Sequence, residues 1–524
     1  MKNVIWGLQV AAIWSSLLLT VCTAHDSGLH LKVVGKPNPY NLRHNKRGNI
    51  IGSSTLSNSG DVSYYANITL GGASFSVLID TGSSDLWVAG SIPSAKETGK
   101  NSGVDYAIGS VRGPVKLANL NFTGYIVNDQ AYLEVTPDKT NPEGLGLIGL
   151  GPNKGSNVFN AVGSSAGAAV VDRIFRQNTS TPNFISVLLG RYDDPTDTFP
   201  GDITVGDILQ GYEKITSQTK LEVTQVSVLE SGAQHWQTLI DENGILGPDG
   251  QPIALTTVVA KTANGNRLTA VFDTGFTLTQ VPKSLSDAVY GRIPGAQFVN
   301  RSDVGAIWEV PCDKEVNMTF IFAGQKIPVH PLDTSIDLNV TNASGDKVCL
   351  GSYQPISTAV DTNYDIILGM SFLRNVYILI NYGDFVDGTS NTANPYIQLL
   401  ATTDPAEGHQ DFVNVRLGGK DDANWQLLPP SSKGSPPKSD SQFVRGIKYY
   451  WPIIAGVGGF LVLVILISCL CVRRRKTGAR PFWRGKKSYR PLHDPAPVGM
   501  QPLGHDGVPR QSVSDYRNPW DSRY

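Results

Sequence analysis

The chain's 524 residues, 40% hydrophobic and 17% charged, predict about three domains at ~150 residues each, unless a large all-β fold breaks that rule. The formal net charge of −1 hides a partition: residues 473–524 carry 12 Lys/Arg against 4 Asp/Glu (+8), residues 1–47 six against one (+5), leaving −14 for 48–472. The acidic body is compatible with work at low pH; the basic tail suits nucleic acid or anionic lipid, and its place beside a membrane makes lipid, not nucleic acid, the expected partner.

Residues 1–24 open with Lys2 and an apolar run from Val4 to Val21, then Cys22-Thr23-Ala24. This pattern predicts a signal peptide cut before His25. Residues 25–47 hold five basic side chains and one acidic one and end in Lys46-Arg47, a pair suited to a processing protease. They read as a removable propeptide whose positive charge covers an acidic site.

From about 62 to 401 the chain consists of short β-branched and aromatic runs broken by Gly, Asn and Asp. Tyr64 to Leu70, Phe75 to Ile79, Asn183 to Leu189 and Ile203 to Gly206 read as strands. Lys283 to Arg292, behind Pro282, is a short helix candidate. The expectation is an all-β body with two cores, divided into lobes at 48–230 and 231–401.

Two copies of Asp-Thr-Gly lie 193 residues apart, in Ser76 to Ser84 and in Ala270 to Thr277, each driven in by an apolar strand. An ionised carboxylate placed there costs several kcal/mol unless well hydrogen-bonded. Two such carboxylates meeting across an internal two-fold cannot both ionise cheaply, so one keeps its proton while the other accepts one. A weak repeat supports the two-fold. Asp80 is followed 69 residues later by Gly149, and Asp273 96 residues later by Gly369, each closing an apolar run. Glycine there lets another backbone approach closely.

Seven Asn-x-Ser/Thr sequons, at Asn67, Asn121, Asn178, Asn300, Asn317, Asn339 and Asn342, all precede the second apolar segment, favouring a lumenal or extracellular body. In that oxidising compartment Cys312 and Cys349 are expected to form a disulfide. Two cysteines so far apart, without clustered histidines, do not suggest a metal site.

Residues 402–448 turn polar and proline-bearing and read as a stalk. The span 449–472 contains 22 uncharged residues from Trp451 to Val472. As a helix these reach about 33 Å, enough for a hydrocarbon core of ~30 Å. Arg473-Arg474-Arg475-Lys476 places the tail, 473–524, in the cytosol. Cys469 and Cys471 are either palmitoylated or plain helix residues. Tyr489-Arg490-Pro491-Leu492 is similar to an adaptor-recognition sorting signal. The cell surface and an endosomal or vacuolar membrane are both compatible with this layout.

Taken in order, the body's motifs resemble those of the pepsin-like aspartic proteases over roughly residues 62–401, as a fungal yapsin-like membrane-anchored member. Asp80-Thr81-Gly82-Ser83-Ser84-Asp85-Leu86-Trp87-Val88 is similar to the first active-site signature. Val104-Asp105-Tyr106-Ala107-Ile108-Gly109-Ser110 resembles the flap hairpin, Gln234-His235-Trp236-Gln237 the strand opening the second lobe, and Trp308 to Cys312 and Ile367 to Arg374 later landmarks. The resemblance implies a bilobal fold and an endopeptidase without cofactor or metal. Asp80 and Asp273 would hold a water between them, supported by Thr81, Gly82, Ser83, Thr274, Gly275 and Thr277. Tyr106, hydrogen-bonded to Trp87, would close over a peptide with Gly109 and Ser110. The chain departs from the family at Phe276, which stands where a hydroxyl residue usually follows the second Asp-Thr-Gly, and at Ala107 and Ile108. It also lacks the usual first-lobe disulfide. The alternative is a weak or inactive protease-like protein that binds peptides at the surface, with Phe276 as its sign.

Overall fold

The computed structural model describes residues 53–429, apart from 107–108, 178–180, 193, 195–198, 261, 263–264, 302–303, 357–362, 387–392 and 422–424. The expected signal peptide, the propeptide with Lys46-Arg47, Asn178, the flap residues Ala107 and Ile108, Cys469, Cys471, the span 449–472 and the tail with Tyr489 to Leu492 lie outside the described residues. Among the described residues, no helix is long and apolar enough to cross a membrane.

The expected strands form. Tyr64–Leu70 alternates buried and more open positions, as a strand with one face on a core must. It pairs antiparallel with Ala73–Asp80 in an eight-stranded sheet. At the centre of that sheet Leu145–Gly149 runs parallel to Ala73–Asp80, with Asp80 opposite Gly149, and antiparallel to Leu86–Ala89. Four consecutive buried residues in Leu86–Ala89 mark a strand covered on both faces.

The second half repeats this motif in a five-stranded sheet. Ile366–Leu368 runs parallel to Thr269–Phe272 and antiparallel to Thr279–Val281. Leu86–Ala89 has a further parallel neighbour in Tyr125–Val135, as Thr279–Val281 has in Tyr353–Pro355. The weak sequence repeat is therefore a structural one. The predicted helix forms as Lys283–Tyr290, with Pro282 at its N-cap and Leu285, Val289 and Tyr290 buried.

A six-stranded sheet joins the halves, because Phe184–Leu189 pairs with Val376–Asn381. Trp236 Nε1 and the Tyr382 hydroxyl both donate to the Leu150 carbonyl, at 2.9 and 2.5 Å. The buried apolar residues gather in clusters of unequal size. One main cluster runs from Tyr64 and Ile79 through Trp236 to Phe272 and Phe372, with smaller clusters beside it.

Cys312 and Cys349 are disulfide-bonded, with Cα atoms 5.0 Å apart. The polar run from 402 opens with a helix, Pro405–Arg416, capped by the Asp404 carboxylate on the N–H groups of Ala406 and Glu407. This helix buries Phe412 and Val413, and Arg416 donates to the Ser335 carbonyl and contacts Cys349 Sγ. Leu428 N–H donates to the Arg292 carbonyl at 2.8 Å, so the expected stalk begins as part of the body.

Candidate active site

Each Asp-Thr-Gly turn leaves its strand beside the later Gly-bearing strand. Leu150 N–H donates to the Asp80 carbonyl at 2.7 Å, and Asp273 N–H to the Leu368 carbonyl at 3.0 Å. A Cβ on Gly149 would fall 2.4 Å from Asp85 N, and one on Gly369 2.6 Å from the Phe276 carbonyl oxygen. Backbones pass at both places where any side chain would block them, which is why the two runs end in glycine.

The two threonines lock the turns together. Thr81 N–H donates to Thr274 Oγ1 at 3.0 Å, and Thr274 N–H donates to Thr81 Oγ1 at 3.0 Å. Each hydroxyl then donates across the two-fold, Thr81 to the Phe272 carbonyl at 2.9 Å and Thr274 to the Ile79 carbonyl at 2.8 Å. Both N–H groups and both hydroxyls of this buried knot are satisfied, as such a site requires.

The carboxylates end up side by side. A Cβ on Gly82 would lie 2.0 Å from Asp273 Oδ2, and one on Gly275 2.6 Å from Asp80 Oδ1, so only glycine fits either place. Asp80 accepts from Gly82 N–H at 2.9 Å and from the Ser83 hydroxyl at 2.5 Å. Asp273 accepts from Gly275 N–H at 2.7 Å. Burial first, and then the charge of Asp80, push the Asp273 carboxyl well above the usual carboxylate range, against the Gly275 N–H that favours its ionised form. The pair can therefore hold one proton and one charge in one place.

Tyr106 stands over the pair on the hairpin of Lys96–Asp105 and Ser110–Phe122. Its hydroxyl accepts from Trp87 Nε1 at 2.7 Å, as expected. Its N–H donates to the Gly109 carbonyl at 3.0 Å, and Gly109, at φ +81°, takes the left-handed conformation that a tight tip demands. Burial, and after it the charges of Asp80 and Asp85, keep the phenol protonated.

Two cavities flank Asp80 and Tyr106. One, of about 210 Å³, is lined by Leu78, Trp87, Val111, Leu147 and Ser110. The other, of about 320 Å³, reaches Asp273 and is lined by His235, Val271, Phe276, Tyr364 and Ile367. An extended peptide laid across both would place one backbone carbonyl at the two carboxylates.

Most of the expected residues converge here: Asp80, Thr81, Gly82, Ser83, Trp87, Tyr106, Gly109, Ser110, Asp273, Thr274 and Gly275. The Thr277 hydroxyl donates to the Val62 carbonyl at 2.7 Å. Phe276 is buried against Val271, Tyr364 and Ile367, with no hydroxyl to match Ser83. The sequence reading passed over Asp85, whose buried carboxylate accepts from Asn157 N–H, Val158 N–H and the Ser156 hydroxyl and so fixes the next helix, Asn157–Val162. It also passed over His235 as a lining residue; its place before Trp236 was the available signal. Cys312, Asp337 and Cys349 lie within ligand distance of one another, but both sulfurs are in the disulfide and offer no thiolate. Of the described sequon asparagines, Asn67, Asn121, Asn300, Asn317 and Asn339 are exposed and Asn342 is half-buried.

Residues 63–92 and 89–386 match the family model described as eukaryotic aspartyl protease. The chain is 25% identical over 367 residues to the major aspartyl peptidase 1 of Cryptococcus neoformans var. grubii, covering 64% of this chain and 71% of that protein. It is 27% identical over 372 residues to an aspartic protease of Phaffia rhodozyma, covering 67% and 81%. Among solved structures it is similar in fold to the aspartic proteinase of Irpex lacteus, at a TM-score of 0.50 and 19% identity, over 67% of this chain and 97% of that one.

Proposed function

The chain belongs to the eukaryotic aspartyl protease family and is an aspartic-type endopeptidase, and from that premise we propose that Asp80 and Asp273 are its catalytic pair. The observation that carries this reading is the reciprocal threonine knot, which brings each carboxylate against the glycine of the opposite turn. Asp80, oriented by its hydrogen bonds from Ser83 and Gly82, removes a proton from a water between the two carboxylates. Asp273, whose burial and neighbour favour the proton, donates to the scissile carbonyl oxygen as the water attacks carbon. The resulting tetrahedral gem-diol collapses as Asp80 passes the proton it took from water to the amide nitrogen, the C–N bond breaks to release the amine, and a gem-diol hydroxyl returns its proton to Asp273, leaving a carboxylic acid. Tyr106 closes over the peptide and excludes bulk water.

The enzyme works at acidic pH, where the pair keeps its single shared proton. Removal of residues 25–47 after Lys46-Arg47 uncovers the cleft, and the body is glycosylated on its sequon asparagines. The apolar span 449–472 anchors it as a single-pass protein with the body extracellular or lumenal, at the cell surface or an endosomal or vacuolar membrane. The basic tail meets anionic lipid, and Tyr489 to Leu492 meets a sorting adaptor.

The test is cleavage of a mixed peptide library from pH 3 to 7 by the wild type and by Asp80→Asn. Acid-dependent cleavage that a statine peptide blocks and Asp80→Asn abolishes supports the reading. Cleavage surviving in Asp80→Asn would refute the pair.

A further inference from the structure

Val228 and Leu229 are the two most exposed large apolar side chains among the described residues, at 88% and 98%. They sit at the tip of the 3₁₀ turn Val228–Ala233, in the connection between the two halves. Single exposed apolar residues need no explanation, but an adjacent pair held out of any core does.

The loop that carries them is fixed. Gln234 Oε1 accepts from Val226 N–H at 2.9 Å, and its Nε2 donates to the Thr224 carbonyl at 3.1 Å and the His235 carbonyl at 2.8 Å. Ser227 Oγ donates to Glu230 at 2.8 Å. The tip is therefore presented by its own loop and stapled at both ends.

Behind the tip lies a groove of about 190 Å³, lined by Gln225, Val228, Ser231, Phe385, Lys154 and Gln234. Lys154 and Gln234 also line the cavity that reaches Asp273, and Gly155 faces Gly232 where the two spaces meet. The groove thus continues the cleft past His235. Phe385 gives it an apolar floor by packing on Trp236, with ring centroids 5.8 Å apart.

We propose that Val228, Leu229 and this groove form a second docking site for protein substrates, which takes a bulky aliphatic side chain several residues from the bond that is cut. Continuity with the cleft selects this occupant: a chain leaving the 320 Å³ cavity past Lys154 and Gln234 runs directly into the groove. A short peptide ends before reaching it. Binding energy gained so far from the chemistry holds substrate and transition state equally, so it appears in KM.

The inference rests on the endopeptidase reading and is tested with the full-length chain, in detergent and in proteoliposomes. The variant is Val228→Ser with Leu229→Ser; both positions are solvent-exposed, so folding is undisturbed. The substrates are a peptide of about eight residues and an unfolded protein. The expected result is a rise of about tenfold in KM for the protein substrate, with kcat and all constants for the short peptide unchanged, and recovery in Leu229→Ile. Unchanged KM for the protein substrate would overturn the proposal. So would an equal loss on both substrates, which would make the tip a support of the main cleft. A difference seen only in proteoliposomes would assign the tip to lipid instead. Failure of the wild type to cut even the short peptide would count against the catalytic reading, not against this one.

Discussion

Thr81 and Thr274 each donate a backbone N–H to the other's hydroxyl oxygen, at 3.0 Å in both directions. Both hydroxyls are buried, so removing one leaves a buried N–H without its acceptor. Thr274→Val keeps the volume and deletes the hydroxyl, orphaning Thr81 N–H and the Ile79 carbonyl. The expected cost is about 1–3 kcal/mol per unsatisfied group, measured by urea unfolding. Loss of the fixed spacing between the carboxylates should also lower kcat by at least tenfold while KM moves little.

Asp273 links activity to stability. Its carboxyl titrates above the unfolded value because of burial and the charge of Asp80. A native group that holds its proton more tightly than the unfolded chain stabilises the fold at low pH. That contribution disappears as pH rises from about 4 through the folded value. Asp273→Asn should therefore flatten the fall in thermal midpoint between pH 4 and 7 while abolishing cleavage. A change in thermal midpoint between pH 4 and 7 that is the same in wild type and Asp273→Asn would contradict this assignment.

Phe276 leaves Asp273 without the hydroxyl that Ser83 gives Asp80. Phe276→Thr should supply that donor and favour the ionised form of Asp273, lowering the pKa that sets the alkaline limb. The pH–kcat/KM profile is expected to shift toward acid by about half a unit to one unit. The cavity left by the ring, beside Val271, Tyr364 and Ile367, should also cost about 3 kcal/mol or more of stability. A profile that does not move would mean that Phe276 acts on packing alone.

The turns, their strands and the paired glycines Gly149 and Gly369 were legible because each rests on a local rule of sequence, whereas the Tyr106–Trp87 contact was implied only by the family resemblance. An apolar strand ending in Asp-Thr-Gly has few other places to go. The hydrogen bond of the Thr277 hydroxyl to the Val62 carbonyl, 215 positions away in sequence, was not legible, because no local pattern reveals it. The six-stranded sheet that joins the halves was hidden for the same reason, since Phe184–Leu189 and Val376–Asn381 meet only in the folded sheet. The helix Pro405–Arg416 carried a readable start in Asp404-Pro405, but only Phe412 and Val413 give it large buried apolar side chains, so composition pointed to a stalk.

Two histidines at that helix respond to acid with opposite signs. His330 is buried, and burial first, then the charge of Arg191, lower its pKa from 6.5 to about 4, although Asp333 and Asp194 pull the other way. Asp411, 3.4 Å from its Nε2 on the docked helix, is itself raised above its ordinary value, by burial first. With its folded value depressed, His330 contributes stability above about pH 6.5 that is lost as pH falls through 4, on the order of 3 kcal/mol. His409 instead bonds Glu315 at 2.7 Å and faces Asp421, and both raise its pKa. Its contribution is complete below about pH 6.5 and lost as pH rises through the folded value. His330→Asn, which keeps an acceptor for Leu332 N–H, should therefore gain thermal midpoint relative to wild type only toward pH 4. His409→Gln should lose it only in the acid range. Melting curves from pH 3.5 to 8 that stay parallel for all three proteins would refute both assignments.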